Sequence, residues 1–180
     1  LLRIDSSADE RNSRSRALAD AFASAWESRG EGFRTVVRDL HADPPPHLTT
    51  TAQHWPERLR GGTRLPESTA ELQRTVIGEL LAADVLVIGA PMYNYCIPST
   101  LKAWIDLIHV PGVTAPFDVP TQPLAGRPAV ILTARGGSDD GVTDESAIAP
   151  LRLVLGTSLG MDVRVVSVTR TLADALPELG

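Results

Sequence analysis

Serine hydroxyls and two arginines surround the point where an early polar loop meets the first stretch of helical periodicity. Ser7 lies in the loop, and Ser13, Arg14, Ser15 and Arg16 follow in a row as the helix begins. The first turn of a helix carries N–H groups without intrahelical acceptors and the positive end of the helix dipole, and both favour an anion. We predict a phosphate cradle here. The alternative is that Ser13 only caps the helix and that the other hydroxyls are solvated.

Two common phosphate-binding motifs are absent from the sequence, and their absence argues against two classes of phosphate ligand. It contains no GxxxxGKS/T loop, which argues against NTP hydrolysis, and no GxGxxG turn of a dinucleotide site. A terminal monophosphate ester, such as the one on FMN, fits a hydroxyl-rich loop better.

Two tyrosines, an amide and a thioether follow the most apolar segment of the chain, residues 84–90. Met92, Tyr93, Asn94 and Tyr95 stand together there, and exposing such groups costs stability unless they cover something. They are suited to line a planar ring and to offer amide contacts to its polar edge. The alternative is that the aromatic side chains pack on a neighbouring element.

A glycine pair follows the next apolar segment, residues 128–134. Arg135 precedes Gly136 and Gly137, and paired glycines let the backbone approach a ligand and adopt positive φ. The N–H groups of this loop are predicted to hydrogen-bond the ligand, with an ordinary turn as the alternative.

Short apolar runs alternate with longer amphipathic ones, which predicts βαβ units and a parallel sheet covered by helices on both faces. The strands are predicted at residues 1–5, 33–40, 84–90, 128–134 and 163–168, and the helices at 13–29, 67–83, 99–108 and 143–159. Right-handed crossovers and burial of the most apolar strands favour the order 2-1-3-4-5. Ligands of such a sheet lie beyond the strand ends where the order reverses, so the loops after Asp5, Ala90 and Ala134 should meet.

Composition favours one α/β domain over residues 1–180 and argues against several classes of protein. The chain has 180 residues, 43% of them apolar, and a net charge of −5. The negative charge argues against nucleic-acid binding and against docking on anionic membranes. No apolar run approaches the roughly 20 residues of a membrane span, and the first residues do not resemble a signal peptide. We therefore expect a cytoplasmic location.

Other reactive side chains lack a catalytic or metal-binding pattern. Cys96, the single cysteine, has no histidine or aspartate partner in a motif and is expected to be a small buried filler. The four histidines show no metal spacing, although His109 stands where it could approach a substrate. Trp104 is expected in the core. Residues 41–66 form a long predicted loop, which is either a surface excursion or a cover for the site or a partner subunit.

Residues 84–95 (DVLVIGAPMYNY) and 99–102 (STLK) closely resemble the FMN-dependent NADH azoreductase family, whose members are flavodoxin-like NADH:quinone oxidoreductases. Residues 38–40 and 135–137 match the same family, and collinear matches cover nearly the whole chain except 41–66 and the last few residues. The resemblance implies a flavodoxin-like fold that binds FMN, takes electrons from NADH or NADPH, and reduces quinones or aromatic azo compounds by a ping-pong hydride mechanism. It also implies a homodimer with the active site at the subunit boundary.

By this resemblance, three groups of residues bind the cofactor. The phosphate contacts are Ser7, Ser13, Arg14 and Ser15, the isoalloxazine and ribityl contacts are Met92, Tyr93, Asn94 and Tyr95, and the contacts to the polar rim of the ring are Ala134, Arg135, Gly136 and Gly137. The chain departs from the family where Tyr95 replaces a common phenylalanine and Ala134 a frequent serine, and its segment 41–66 is shorter than usual. No side chain is expected to act as a nucleophile, because flavin N5 carries the chemistry.

Two other classes of protein with the same topology are alternatives. A flavodoxin-type one-electron carrier would bind FMN without a substrate of its own and would be more acidic than this chain. A response-regulator receiver needs an acidic pair after the first strand and a phosphoacceptor aspartate at the end of the third. Here Asp5 stands alone, and the third strand ends in Gly89, Ala90 and Pro91.

Overall fold

The protein is built around an all-parallel sheet. The computed structural model describes residues 1–137, 142–169 and 171, with the backbone alone for 142–145. The strands are β1 (Leu2–Asp5), β2 (Val36–Asp39), β3 (Leu86–Pro91), β4 (Pro128–Ala134) and β5 (Asp162–Val168). Their order across the five-stranded sheet is β2-β1-β3-β4-β5, which confirms the order predicted from the crossovers.

Helices connect the strands. They are α1 (Arg14–Glu27), α2 (Glu67–Ala82), α3 (Ser99–Ile108) and α4 (Val142–Leu151), and the last continues as a π-helical segment, Arg152–Ser158. Two short 3₁₀ helices, Thr51–His54 and Glu57–Leu59, interrupt the predicted loop 41–66. None of the helices in the described residues has the length and apolar composition that crossing a bilayer requires.

The sheet is apolar on both faces because successive side chains of a strand point to opposite sides. In β3, Leu86 and Ile88 join the larger core cluster, which also contains Trp104 of α3, while Val87 joins a smaller cluster with Ala19 of α1. Trp104 is fully buried, as predicted. The helices α2 and α3 therefore cover one face of the sheet and α1 the other, as a buried parallel sheet requires.

Several predicted elements differ in their bounds from those observed. The second strand was expected over 33–40 and is shorter, Val36–Asp39, because it is an edge strand with one neighbour. The predicted strand 84–90 begins two residues later and ends one residue later, at Leu86–Pro91. The predicted helix 143–159 changes to π geometry at Arg152, just after Pro150, whose ring removes a backbone N–H from the helical ladder.

Gly89 of β3 allows the start of α1 to lie close to the sheet. A Cβ atom at this position would stand 3.3 Å from Asp5 Oδ1 and 3.4 Å from the carbonyl oxygen of Ser15. Ser6, which follows β1, also bonds this glycine: its N–H and its Oγ both donate to the Gly89 carbonyl, at 3.2 and 2.7 Å. The loop after β1 is therefore fixed against β3 at the carboxyl edge of the sheet.

Candidate functional site

The loops after β1, β3 and β4 meet at one cavity of about 450 Å³. Its lining includes eight of the predicted site residues: Ser7, Ser13, Arg14, Met92, Tyr93, Ala134, Arg135 and Gly136. The predicted residues Ser15, Asn94, Tyr95 and Gly137 lie within two positions of these in sequence and are not part of the lining. The crevice thus lies at the position that the strand order predicts, beyond the carboxyl ends of β1 and β3.

Ser13 caps α1 and lines the cavity at the same time. Its Oγ accepts the N–H of Arg16 at 3.2 Å and lies 3.1 Å from the hydroxyl of Ser15, which is fully buried. A serine in this position satisfies one N–H of the first turn and leaves the earlier ones on the axis of the helix dipole. Because Arg14 also lines the cavity, this end of it is suited to an anion.

Arg16 was expected to add positive charge to the phosphate loop, and the structure gives it a different role. Its Nη1 lies 2.6 Å from Asp39 Oδ2, and its Nη2 lies 2.9 Å from Asp39 Oδ1 and donates to the Ser7 carbonyl at 2.8 Å. Hydrogen bonding from Arg16 lowers the pKa of Asp39 to about 2. The guanidinium is therefore neutralised by a carboxylate and holds the backbone of Ser7 in place.

Beneath this pair lies a buried carboxylate, Asp5 at the end of β1. Burial raises the pKa of Asp5, while the hydrogen bond from Arg3 acts in the opposite direction. Arg3 Nη2 lies 2.8 Å from Asp5 Oδ2, and Arg16 Nη1 lies 3.6 Å from the same oxygen. The floor of the phosphate loop is thus a network of paired charges.

The loop after β3 closes in a tight turn. Tyr93 N–H donates to the Cys96 carbonyl at 2.9 Å, Cys96 N–H donates back at 3.1 Å, and the two central residues, Asn94 and Tyr95, have φ of 50° and 65°. Positive φ at both central positions defines the type I′ turn. Tyr95 is 69% exposed. Cys96 is exposed as well, so the prediction of a buried filler is wrong, because the turn carries its side chain out of the core.

Tyr93 connects the loop after β3 with the loop after β1. Its hydroxyl accepts the N–H of Ala8 at 3.0 Å and lies 3.1 Å from Ser7 Oγ. Tyr93, whose ring is predicted to lie beside a planar ligand, thus contacts the predicted phosphate loop through its hydroxyl.

The loop after β4 extends the hydrogen bonding of the sheet to the edge of the cavity. The Ala134 carbonyl accepts the N–H of Met92 at 2.9 Å, and Arg135 N–H donates to the Val168 carbonyl at 3.0 Å. Arg135 is buried, and Gly136 follows it in the lining. The rest of the predicted glycine-rich loop, residues 138–141, lies outside the described residues.

Four lining residues were missed by the sequence interpretation: Asp9, Asn12, Pro91 and Thr171. A signal for the first existed, since an aspartate in a polar loop often bonds backbone N–H groups ahead of it. Asp9 Oδ1 accepts hydrogen bonds from the N–H groups of Arg11 and Asn12 at 2.9 Å each. These bonds lower the pKa of Asp9, and the bond from Asn12 has the larger effect. Thr171 is placed by tertiary structure, through its N–H bond to the Arg135 carbonyl at 3.1 Å.

His109, which the sequence interpretation placed within possible reach of a substrate, lies away from the cavity. Its Nε2 is 2.7 Å from Ser158 Oγ, and its ring stacks on His54 with centroids 6.0 Å apart. It is absent from the residues that line the cavity. Within the described ranges, no cluster of three or more His, Cys, Asp or Glu side chains is arranged to hold a metal ion.

A parallel sheet of this order with a crevice at its carboxyl edge defines a flavodoxin-like protein, and the family model described as a flavodoxin-like fold matches residues 1–177. The chain is 50% identical over 184 residues to an FMN-dependent NADH:quinone oxidoreductase of Kineococcus radiotolerans, covering 99% of this chain and 87% of that protein. It is 42% identical over 166 residues to FMN-dependent NADH:quinone oxidoreductase 2 of Pseudomonas putida, covering 86% and 79%. The chain therefore belongs to the FMN-dependent NADH:quinone oxidoreductase family, as the resemblance in residues 84–95 predicted.

Solved structures agree on the fold. An FMN-dependent NADH-azoreductase from Bacillus anthracis, crystallised in complex with FMN, superposes with a TM-score of 0.78 at 21% identity, covering 99% of this chain and 94% of that one. The azoreductase AzrA superposes with a TM-score of 0.77 at 22% identity, covering 99% and 91%.

Proposed function

We propose that this chain is an FMN-dependent oxidoreductase that takes two electrons from NADH, or from NADPH, and transfers them to quinones or aromatic azo compounds. The observation that supports it most is the convergence of Ser13, Tyr93 and Gly136 on one cavity. The proposal is also supported by the 50% sequence identity to a relative named FMN-dependent NADH:quinone oxidoreductase.

The donor set of the cavity fits FMN. One end offers the Ser7 and Ser13 hydroxyls, the Arg14 side chain and the N-terminus of α1, which suit a phosphate monoester. The other end offers Met92 and the backbone at Gly136, which suit a flat ring with a polar edge. The volume of about 450 Å³ lies within the range of about 300–1,000 Å³ that is usual for ligand pockets.

The bound flavin would supply hydride acceptance and donation at its N5 atom. The protein's part is to bind and orient it. Ser13 holds the phosphate end while capping α1, and the buried Ser15 hydroxyl fixes Ser13 Oγ from 3.1 Å. Arg16 fixes the Ser7 carbonyl, so the hydroxyl of Ser7 faces the cavity from a rigid backbone.

At the ring end, pairing of β3 with β4 sets the geometry. The bond from Met92 N–H to the Ala134 carbonyl extends the ladder to the edge of the cavity. We propose that Met92, Tyr93, Asn94 and Tyr95 contact the isoalloxazine and ribityl groups and that Ala134, Arg135, Gly136 and Gly137 border the polar rim. The N–H groups of this last loop would stabilise negative charge on the reduced ring.

We also propose that the protein acts as a homodimer. Several large apolar side chains are exposed, among them Tyr95 at 69% and Phe117 at 63%. Phe117 packs on Trp55 of the segment 41–66, with ring centroids 5.2 Å apart. Exposed apolar groups of this kind are typical of an interface, and sedimentation velocity on the FMN-loaded protein would measure the subunit number.

The function is tested by steady-state kinetics. The protein is loaded with FMN and assayed for NADH oxidation with a benzoquinone and with an aromatic azo dye. We expect turnover that depends on FMN and on the acceptor, with parallel double-reciprocal lines when NADH and quinone are varied. An FMN-loaded protein that oxidises NADH no faster when quinone is added would behave as a one-electron carrier and would refute the proposal.

A further inference from the structure

The hydroxyls of Ser7 and Tyr93 form a pair at the phosphate end of the cavity. Their oxygens lie 3.1 Å apart although the residues are 86 positions apart in sequence. Two backbone groups of the same loop bond the pair: Ala8 N–H donates to Tyr93 Oη at 3.0 Å, and Asp9 N–H donates to Ser7 Oγ at 3.2 Å. Ser7 is 2% exposed, and both side chains line the cavity.

The hydrogens of this group can be counted. The two amides and the two hydroxyls carry one hydrogen each. The amide hydrogens go to the two hydroxyl oxygens, and one hydroxyl hydrogen lies between Tyr93 Oη and Ser7 Oγ. Whichever hydroxyl donates within the pair, the hydrogen of the other is left over.

Among the described residues, the one acceptor that this hydrogen has at Ser7 is a backbone carbonyl, and that contact is long. The Asp9 carbonyl oxygen lies 3.4 Å from Ser7 Oγ, beyond the range of about 2.5–3.0 Å for O–H···O bonds. The pair is thus a single net donor beside Ser13, Arg14 and the start of α1, where an anion is favoured. Bonding to the two amides also polarises both hydroxyls in the same sense, which strengthens the donor.

We infer that Tyr93 is a positioning residue for the FMN phosphate. Together with Ser7 it directs one hydroxyl hydrogen at a phosphate oxygen, so the loop after β3 takes part in phosphate recognition and not only in ring contact. The type I′ turn at 93–96 holds the Tyr93 backbone while its hydroxyl reaches the other loop. This inference rests on the proposed function, because it concerns the same FMN site.

The test compares two ligands that share a ring and differ in the phosphate. FMN and riboflavin are titrated into the apoprotein, and each affinity is measured by quenching of flavin fluorescence. Tyr93→Phe keeps the ring and removes the hydroxyl. We expect its FMN affinity to fall about tenfold and its riboflavin affinity to change less than about twofold, because one hydrogen bond to a charged group is weakened.

A double-mutant cycle tests the pairing. Ser7→Ala should lower the FMN affinity of the wild type about tenfold and have little further effect in the Tyr93→Phe background, because the two hydroxyls act as one donor. Ser6→Ala is the matched control: Ser6 Oγ bonds the Gly89 carbonyl at 2.7 Å and does not line the cavity. This control should leave the ratio of FMN to riboflavin affinity unchanged.

The outcomes are distinct. Equal losses of FMN and riboflavin affinity in Tyr93→Phe would show that the residue acts on the ring or the fold, and would refute the inference. If the wild type binds FMN normally, additive losses in the double-mutant cycle would also refute the inference. An unchanged FMN affinity in Tyr93→Phe would refute it as well. A wild type that binds neither flavin would overturn the proposed function and this inference with it.

Discussion

Arg16 at the start of α1 and Asp39 at the end of β2 form a two-point ion pair, with Nη1 2.6 Å from Oδ2 and Nη2 2.9 Å from Oδ1. The same Nη2 donates to the Ser7 carbonyl at 2.8 Å. One guanidinium therefore joins the edge strand, the first helix and the phosphate loop. The Arg16–Asp39 pair therefore holds the backbone that presents the Ser7 hydroxyl, although neither residue of the pair lines the cavity.

Arg16→Lys should weaken FMN binding. An ammonium cannot make the parallel bonds to Asp39 and the bond to Ser7 together, so we expect FMN affinity to fall several-fold and the free energy of unfolding to fall by about 1–2 kcal/mol. Arg38→Lys is the matched control, because Arg38 makes a similar two-point pair with Glu79, at 2.7 Å for both bonds, outside the cavity lining. Urea unfolding and FMN titration measure both effects. Equal losses of FMN affinity in the two variants would contradict a specific role for Arg16.

Ser13→Asp separates capping of α1 from phosphate binding. Aspartate and asparagine both cap helices about as well as serine, so Ser13→Asp and Ser13→Asn should each change the free energy of unfolding by less than about 0.5 kcal/mol. Only the aspartate places a negative charge beside the phosphate, and it should lower FMN affinity by more than about tenfold. Flavin content after purification and FMN titration measure this. If the aspartate variant kept its FMN, the cradle would lie elsewhere.

The fold could be predicted from the sequence because the relevant signals are local. β3 has apolar side chains on both faces, which indicates a buried parallel strand, and the crossover rules then leave few orders for the sheet. The change to π geometry at Arg152 is not visible in the pattern, which keeps its apolar residues through Pro150. The edge position of β2, by contrast, follows from the predicted order, and Val36 and Val37 of this strand are 53% and 55% exposed.

The site was predictable where its residues follow strand ends, and less so where partners come from far along the chain. Ser13 and Gly136 were placed from chain order alone. The role of Arg16 was missed because Asp39 lies 23 positions away, and the bond from Tyr93 to Ser7 spans 86. A pattern of residue types does not reveal the partner in either bond, because both partners depend on how β1, β2 and β3 align.

Asn94 is tested by two substitutions that separate its side chain from its backbone. Asn94→Gly keeps the positive φ of 50° without strain, whereas Asn94→Ala keeps the β-carbon but loses the amide that makes asparagine tolerant of this conformation, at a cost of about 1 kcal/mol. If the amide contacts the flavin, both variants should lose FMN affinity by about fivefold or more, and only the alanine should also unfold more easily. FMN titration and thermal unfolding distinguish the effects. A glycine variant with wild-type affinity would limit Asn94 to its role in the turn.

The stability of the protein should fall as the solution becomes mildly acidic, because of His109 at the end of α3. Burial lowers the pKa of His109, and the charge of the stacked His54 acts in the same direction, while Asp106 opposes it. The unfolded chain has the ordinary value of about 6.5, so it binds more protons than the folded chain once the pH falls below that value. The stabilisation is fully present above about pH 6.5 and is lost as the pH falls from there towards the folded pKa.

Measurements of the free energy of unfolding by urea, at pH values from about 7.5 down to about 5.5, would test this dependence on either side of the ordinary histidine pKa. His109→Asn replaces the imidazole, whose Nε2 lies 2.7 Å from Ser158 Oγ, with a polar side chain that has no proton to gain in this range. We expect its stability to depend less on pH than that of the wild type. His47→Asn, at an exposed position of the segment 41–66, should keep the wild-type slope. An equal slope in His109→Asn and the wild type would assign the acid sensitivity to other groups.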